Sequence, residues 1–498
     1  MTFKSIIPQN KFSKLHVLIG LLTLLTIAFY SAEQAMWGGT PTRNMVSLEK
    51  NLPTKFDPAT GLNIKWTAAL GSQTYGNPVI AGGKVFVGTN NQGMRNPKQG
   101  GDRGVMMAFR EADGEFLWQH ANPKLASGRV NDWPLQGVCS SPFVDGDRLY
   151  YVSNRCEVVC LDVNGFRDGK NNGAFTSETD TSSIDADIIW KYDMIAELDV
   201  FPHNLAVCSP IAVGDLLFIV TANGVDEGHI HIPSPQAPSF IALNKSTGEL
   251  VWEDASPGGN IMHGQWSNPA YAVIKGVPQV IFPGGDGLIY SFEPETGKLI
   301  WKFDGNPPDA VYELGGSGTK NDFIATPVIY DNKVYIGLGQ DPEHGEGISH
   351  FYAIDATQKG DVTKTAVVWH RGYKDFNRTM STAAIADGLL YVADLSGFVY
   401  CFDALTGELY WTYDTYAAIW GSPYVADGKV YIGDEDGDLA VLKTGKEMEL
   451  LYEMKTGKEM ELLYEINMGS AVYTSPVAKN GVLYVTNRST LFALEQKK

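Results

Sequence analysis

Ala242-Leu243-Asn244-Lys245-Ser246-Thr247-Gly248 runs on to Trp252, Phe292-Glu293-Pro294-Glu295-Thr296-Gly297 to Trp301, and Phe402-Asp403-Ala404-Leu405-Thr406-Gly407 to Trp411. Each stretch is the apolar end of a strand, a turn opened by an acidic or amide residue, Thr-Gly, and a tryptophan. Weaker copies end at Trp118, Trp190 and Trp369. A repeating unit of roughly forty to seventy residues made of short strands cannot bury both of its faces alone. Neighbouring copies must pack on one another, and a propeller is the usual outcome.

After each tryptophan comes a polar loop, a small residue with Pro, an apolar strand, a tight Gly/Asp/Asn turn and a second β-branched or aromatic strand. The starts are Asn77-Pro78, Ser141-Pro142, Ser209-Pro210, Asn268-Pro269, Thr326-Pro327, Ser422-Pro423 and Ser475-Pro476, with Ser381-Thr382-Ala383 as an eighth that lacks the proline. This is hairpin grammar, and helical periodicity is missing over most of the chain. The last copy stops near Leu494 without an outer strand, while Asn63-Ile64-Lys65-Trp66 reads as an outer strand with nothing before it. The expectation is therefore an all-β, eight-bladed propeller of four-stranded antiparallel blades. The Trp66 strand completes the last blade and removes an exposed sheet edge. Seven blades is the alternative. Residues 443–453 recur identically at 455–465, an insertion that must lengthen or bulge the seventh blade.

The Ala-x-Asp-x-x-Thr-Gly-x-x-x-Trp pattern, clearest around Trp252, Trp301 and Trp411, resembles the tryptophan-docking motif of the pyrrolo-quinoline quinone (PQQ) repeat propellers. That family includes quinoprotein alcohol dehydrogenases and an outer-membrane assembly lipoprotein. The resemblance runs from about Trp37 to the C-terminus and implies a fold in which tryptophans pack between blades. It is specific for architecture and weak for function.

Residues 1–35 read as an export signal or an N-terminal membrane anchor, and residues 36–498 as one propeller domain. Lys4, Lys11 and Lys14 precede an apolar run from Leu15 to Tyr30, followed by small residues. That run is shorter than the ~20 residues that comfortably span a bilayer. An extracytoplasmic location follows, in the periplasm or cell envelope. A formal charge of -18 argues against nucleic acid or an anionic membrane surface as partner. A monomer is expected. None of the five cysteines are adjacent, whereas catalytic members of the resembled family carry a vicinal disulfide against the quinone. Cys139 and Cys208 could face each other in adjacent blades, and buried free thiols are the other reading.

In a propeller, the loops between blades share one face with the loops joining second and third strands, and here that set is long and varied. The binding surface is placed there. Residues just before the inner strands should ring the channel mouth: Asn131, Asp132, Trp133, Gln136, His203, Asn204, His263, Gln265, Trp266, Asn321, Asp322, Arg378, Trp420 and Tyr473, with Tyr75 beside them. Aromatic faces mixed with hydrogen-bonding groups suit a sugar, a peptide segment or another polar molecule. Asp341, Glu343 and His344 are loop candidates. His229 and His231, in the long loop of the third blade, could cap the channel beside them. No metal site is assigned, because no established ligand spacing appears. Asp162, Asn164, Asp168 and Asn171 alternate as calcium ligands would, without EF-hand spacing.

No Gly-x-Ser-x-Gly elbow, His-Glu-x-x-His or phosphate loop is present, and no catalytic residue is assigned. The reading is a non-enzymatic binding or scaffold protein, without a cofactor, that meets a protein or polysaccharide partner through the long-loop face. The alternative implied by the resemblance is a quinoprotein-like dehydrogenase that oxidises an alcohol or sugar with PQQ and calcium, with Asp132 or Asp322 as base.

Overall fold

The computed structural model describes residues 34–316, 318–340, 348–372, 374–446 and 462–497. Eight sheets follow one another along the chain, each built on four antiparallel strands. Blade 1 is Val79–Ala81, Lys84–Asn90, Arg103–Arg110 and Phe116–Pro123, and blades 2 to 7 repeat that order from Phe143, Ile211, Ala270, Val328, Ala384 and Tyr424. Blade 8 takes three strands from Val477 to Glu495 and its fourth from Ile64–Ala69, with Trp66 opposite Ala493 and Ala69 opposite Thr490. The ring closes as the sequence predicts. In blade 7 the outer strand Leu462–Asn467 comes from the second copy of the duplication, and residues 447–461 lie outside the described set.

The repeat motif works through the turn before its tryptophan. Asp403 Oδ1 accepts from the backbone N–H groups of Leu405 and Thr406, both at 3.0 Å, and Asn244 Oδ1 does the same for Ser246 and Thr247. This Asx-turn sets up the left-handed residue that follows, Gly407 at φ 72° and Gly248 at φ 76°. The glycine receives the indole of the preceding blade: a Cβ on Gly407 would stand 2.6 Å from the Trp369 ring, and one on Gly248 2.6 Å from Trp190. In blades 5 and 3 the indole N–H then donates to a carbonyl in the receiving turn, Trp369 to Ala404 at 2.9 Å and Trp252 to Pro294 at 2.7 Å. Blade 7 carries Tyr464 where other blades carry tryptophan, and its hydroxyl donates to Phe56 O. Apolar residues of adjacent blades merge into continuous cores, so burial is shared across every blade boundary.

The axial channel is filled by the N-terminal segment. Gln34–Ala35 pairs antiparallel with Asp145 and Val144 of blade 2, and Val46–Ser47 pairs parallel with Val425 and Ala426 of blade 7. Between them Pro41, Thr42 and Met45 hydrogen-bond with the inner strands of blades 4, 5 and 6 or the residue just before them. The segment enters from the tight-turn face, reverses inside the channel and leaves by the same face. Arg43, fully buried, donates to the carbonyls of Trp37 at 2.9 Å, Ser209 at 2.5 Å and Pro269 at 3.0 Å. Burial pulls its guanidinium down to about 9, still above neutrality, so the carbonyls receive a charged donor.

Above the plug a hydrogen-bonded girdle links the residues that precede the inner strands. Asn77 N donates to Ser141 Oγ, Ser141 N to Ser209 Oγ, Ser209 N to Asn268 Oδ1 and Asn268 Nδ2 to Thr326 Oγ1. On the far side Thr382 N donates to Ser422 Oγ, Ser422 N to Ser475 Oγ and Ser475 N back to Asn77 Oδ1. The small-residue-before-proline motif is thus explained. A short hydroxyl or amide reaches one blade round the axis, and the proline carries no N–H that would need a partner there.

Candidate functional site

Over this girdle, on the long-loop face, the channel widens into a cup of about 440 Å³ floored by Trp37. Its wall carries Tyr75, Trp133, Trp266, Trp420 and Tyr473, with Gln136, Asn204 and the girdle residues supplying polar edges. Tyr75 and Tyr473 stack at 4.8 Å with planes 12° apart, and Trp420 meets Tyr473 edge-on at 5.4 Å. Trp133 lies under the Arg129 guanidinium, 5.2 Å from the ring centroid. No described side chain lining the cup carries a formal charge. Cys139 is also in the wall. Burial pushes its thiol up to about 12, so it stays protonated at neutral pH and is a poor nucleophile. All five cysteines are free, including Cys139 and Cys208.

Of the residues expected at the mouth, the structure brings Trp133, Gln136, Asn204, Trp266, Trp420 and Tyr473 into the cup. It turns others away. Asn131 donates to Pro202 O and Gln265 to Asn223 O, each tying one long connection to another. Asn321 is locked to Asn306 through its backbone. Asp322 is buried next to the plane of blade 5, and Arg378 is buried against Gly339. Asp132, read above as a conceivable base, has a fully buried carboxylate held by Lys124 Nζ at 2.7 Å, Asn154 Nδ2 at 2.7 Å and Leu125 N at 3.0 Å. Burial raises its pKa against the pull of Lys124, but every oxygen is occupied with structure. Asp341, Glu343 and His344 lie outside the described residues. In the acidic loop after blade 2's third strand, Asp162 pairs with Arg148 at 3.2 Å and Asn171 donates to Glu178.

His203 and His263 stand just behind the cup wall and are joined by His229. His203 precedes blade 3, His229 comes from the loop between that blade's second and third strands, and His263 precedes blade 4. Ring centroids are 4.4 Å apart for His203 and His263, 4.6 Å for His229 and His263, and 5.0 Å for His203 and His229. His203 and His263 are buried and His229 is half-buried. Trp266 separates the group from the cup, donating to His203 O at 3.2 Å and meeting the His263 ring edge-on at 5.1 Å.

Two features of the site went unread in sequence. Trp37 and the plug beneath it lie in a stretch without strand periodicity. Sequence proximity groups His229 with its neighbour His231 and not with His203 and His263.

A family model described as outer membrane protein assembly factor BamB matches residues 185–371 and 352–498, well over half of the chain. The chain belongs to this PQQ-like β-propeller family. Among solved structures the propeller resembles BamB from Moraxella catarrhalis, with a TM-score of 0.54 at 14% identity, covering 86% of this chain and 98% of that one. It also resembles the quinohemoprotein alcohol dehydrogenase ADHIIG from Pseudomonas putida HK5, with a TM-score of 0.58 at 12% identity, covering 94% and 80%. At such identities both speak for the fold alone. The tetrathionate hydrolase of Acidithiobacillus ferrooxidans is 22% identical over 527 aligned residues, which span 98% of this chain and 88% of that protein.

Fit to PQQ with calcium can be judged from the lining. An anionic quinone and a divalent cation call for basic and acidic side chains, and the propeller's cup offers neither among the described residues. The lower channel is filled by Trp37 and Arg43. The described residues lining the cup do not fit that pair.

Proposed function

We propose that this chain is an extracytoplasmic binding protein whose cup holds a neutral carbohydrate segment. One observation carries the reading: a concave, uncharged site combines four tryptophans and two tyrosines with amide and hydroxyl edges. Sugar rings present flat C–H faces that stack on aromatic rings, and hydroxyl rims that exchange hydrogen bonds with groups such as Asn204 and Gln136. The formal charge of -18 favours an uncharged polymer over an acidic one. The extracytoplasmic location rests on the family and on the apolar leader. The test is calorimetric titration of the full chain with neutral hexasaccharides of several linkages, beside uncharged peptides of similar length. Saturable sugar binding that Trp420→Ala weakens supports the reading. Binding of peptides alone, or of nothing, overturns it.

A hydrolytic reading has one observation in its favour, the match to a tetrathionate hydrolase along almost the whole chain. Tetrathionate is a dianion, and the described cup lining supplies no cation to meet it. Loss of tetrathionate on incubation with purified protein would favour this reading over sugar binding.

A further inference from the structure

The His203, His229 and His263 cluster has no part in the carbohydrate reading, and its geometry stands apart from it. One ligand nitrogen from each ring can be chosen so that all lie within 4.8 Å of one another. His229 Nε2 and His263 Nε2 are 3.2 Å apart. Two imidazoles on one tetrahedral zinc at ~2.0–2.1 Å place their nitrogens about 3.3 Å apart. The third ring must move by up to about 1.5 Å to join them, within reach of a small change in its side-chain torsions.

Three surrounding features favour an ion over a casual packing of rings. His203 Nδ1 lies 2.8 Å from Val225 O, so that nitrogen carries the proton and donates to the carbonyl. In the neutral imidazole Nε2 then carries the lone pair, the outer-sphere arrangement usual for a ligating histidine. Backbone closes round the rings: a Cβ on Gly224 would stand 2.6 Å from His203 Cβ and 2.6 Å from His263 O, and one on Gly315 2.6 Å from His229 Cβ. Among the described residues of the same loop, Asp226 is committed elsewhere, since its Oδ1 accepts from the backbone N–H groups of Ile230 and His231. Among the described residues the donor set is all nitrogen. Such a set selects zinc and its transition-metal neighbours, and discriminates against calcium and magnesium.

We infer that His203, His229 and His263 form a binding site for a divalent transition-metal ion of the zinc class, supplying three of its four ligands. Trp266 makes this site and the cup two sides of one wall. The inference holds whatever the cup takes.

The experiment uses the full chain, stripped with chelator, dialysed and titrated with zinc chloride by calorimetry, with melting temperature read in parallel. One zinc per chain and a raised melting temperature are expected. His229→Ala, at the half-buried ligand, should weaken zinc at least about tenfold while leaving metal-free melting nearly unchanged. His231→Ala, two residues away on the exposed side of the same loop, should leave the affinity as it is. Cobalt substitution should give the visible absorption of a four-coordinate ion. Absence of stoichiometric zinc in folded protein would overturn the inference, leaving a hydrogen-bonded imidazole pair beside a third ring. Equal loss in His229→Ala and His231→Ala, or calcium binding abolished by His229→Ala, would overturn it as well.

Discussion

Arg43 lies with its guanidinium carbon 5.7 Å from the centroid of the Trp37 ring and donates to the Trp37 carbonyl at 2.9 Å. The cup floor is thus nailed to blades 3 and 4 by a single side chain that also reaches Ser209 O and Pro269 O. Arg43→Met keeps much of the volume and leaves those buried carbonyls without their donor. It should cost about 3 kcal/mol, read as a lowered urea midpoint at unchanged slope.

Trp420 and Tyr473 form an edge-to-face pair in the cup wall and are both half-buried, so either can be shortened without opening the core. Trp420→Ala should reduce the affinity for a neutral oligosaccharide about tenfold, equivalent to about 1.4 kcal/mol, with melting temperature shifted by a few degrees at most. Titration calorimetry on both proteins checks this.

Asp286, buried in blade 4, accepts from the Tyr290 hydroxyl at 2.6 Å and from Leu288 N at 3.1 Å. Burial outweighs these bonds and raises its pKa from 3.8 to about 6. The folded state therefore holds a proton that the unfolded chain has released. This stabilises the fold below pH 3.8, and the contribution is lost as pH rises through about 6. Asp286→Asn removes the titration. Its stability relative to the parent should improve by about 2 kcal/mol between pH 4.5 and pH 7, measured by denaturant unfolding at both.

Gly407 and Gly388 both sit at positive φ, 72° and 77°, yet only the first receives an indole. Gly407→Ala should lower stability by about 3 kcal/mol, through backbone strain and collision with Trp369 together. Gly388→Ala, with open space at its Cβ, should lower it by about 1 kcal/mol from strain alone. Thermal melts of the pair separate the two terms.

Ring closure was legible because Trp66 lies in a strand with no blade before it, and because the docking tryptophans recur at fixed distance from Thr-Gly. The plug was not. Gln34–Ala35 and Val46–Ser47 each pair over two residues with different blades, too short for any period-2 pattern to develop. At the cup, distance from the small-residue start located Trp266, Trp420 and Tyr473. Adjacent Gln265 turns back to bind Asn223 O, a choice made by backbone geometry and not by residue type. His229 faces inward and His231 outward because the backbone turns at Asp226 and passes through the left-handed region at His229, φ 55°. No alternation of residue types announces such a turn.

The direction in which the plug enters sets the orientation of the whole disc. Gln34 lies against Asp145, at the turn end of its strand, so the described chain starts on the side away from the aromatic bowl. Immobilised by that end, the molecule presents its open bowl to the surrounding medium, and surface-capture measurements should be built on that attachment.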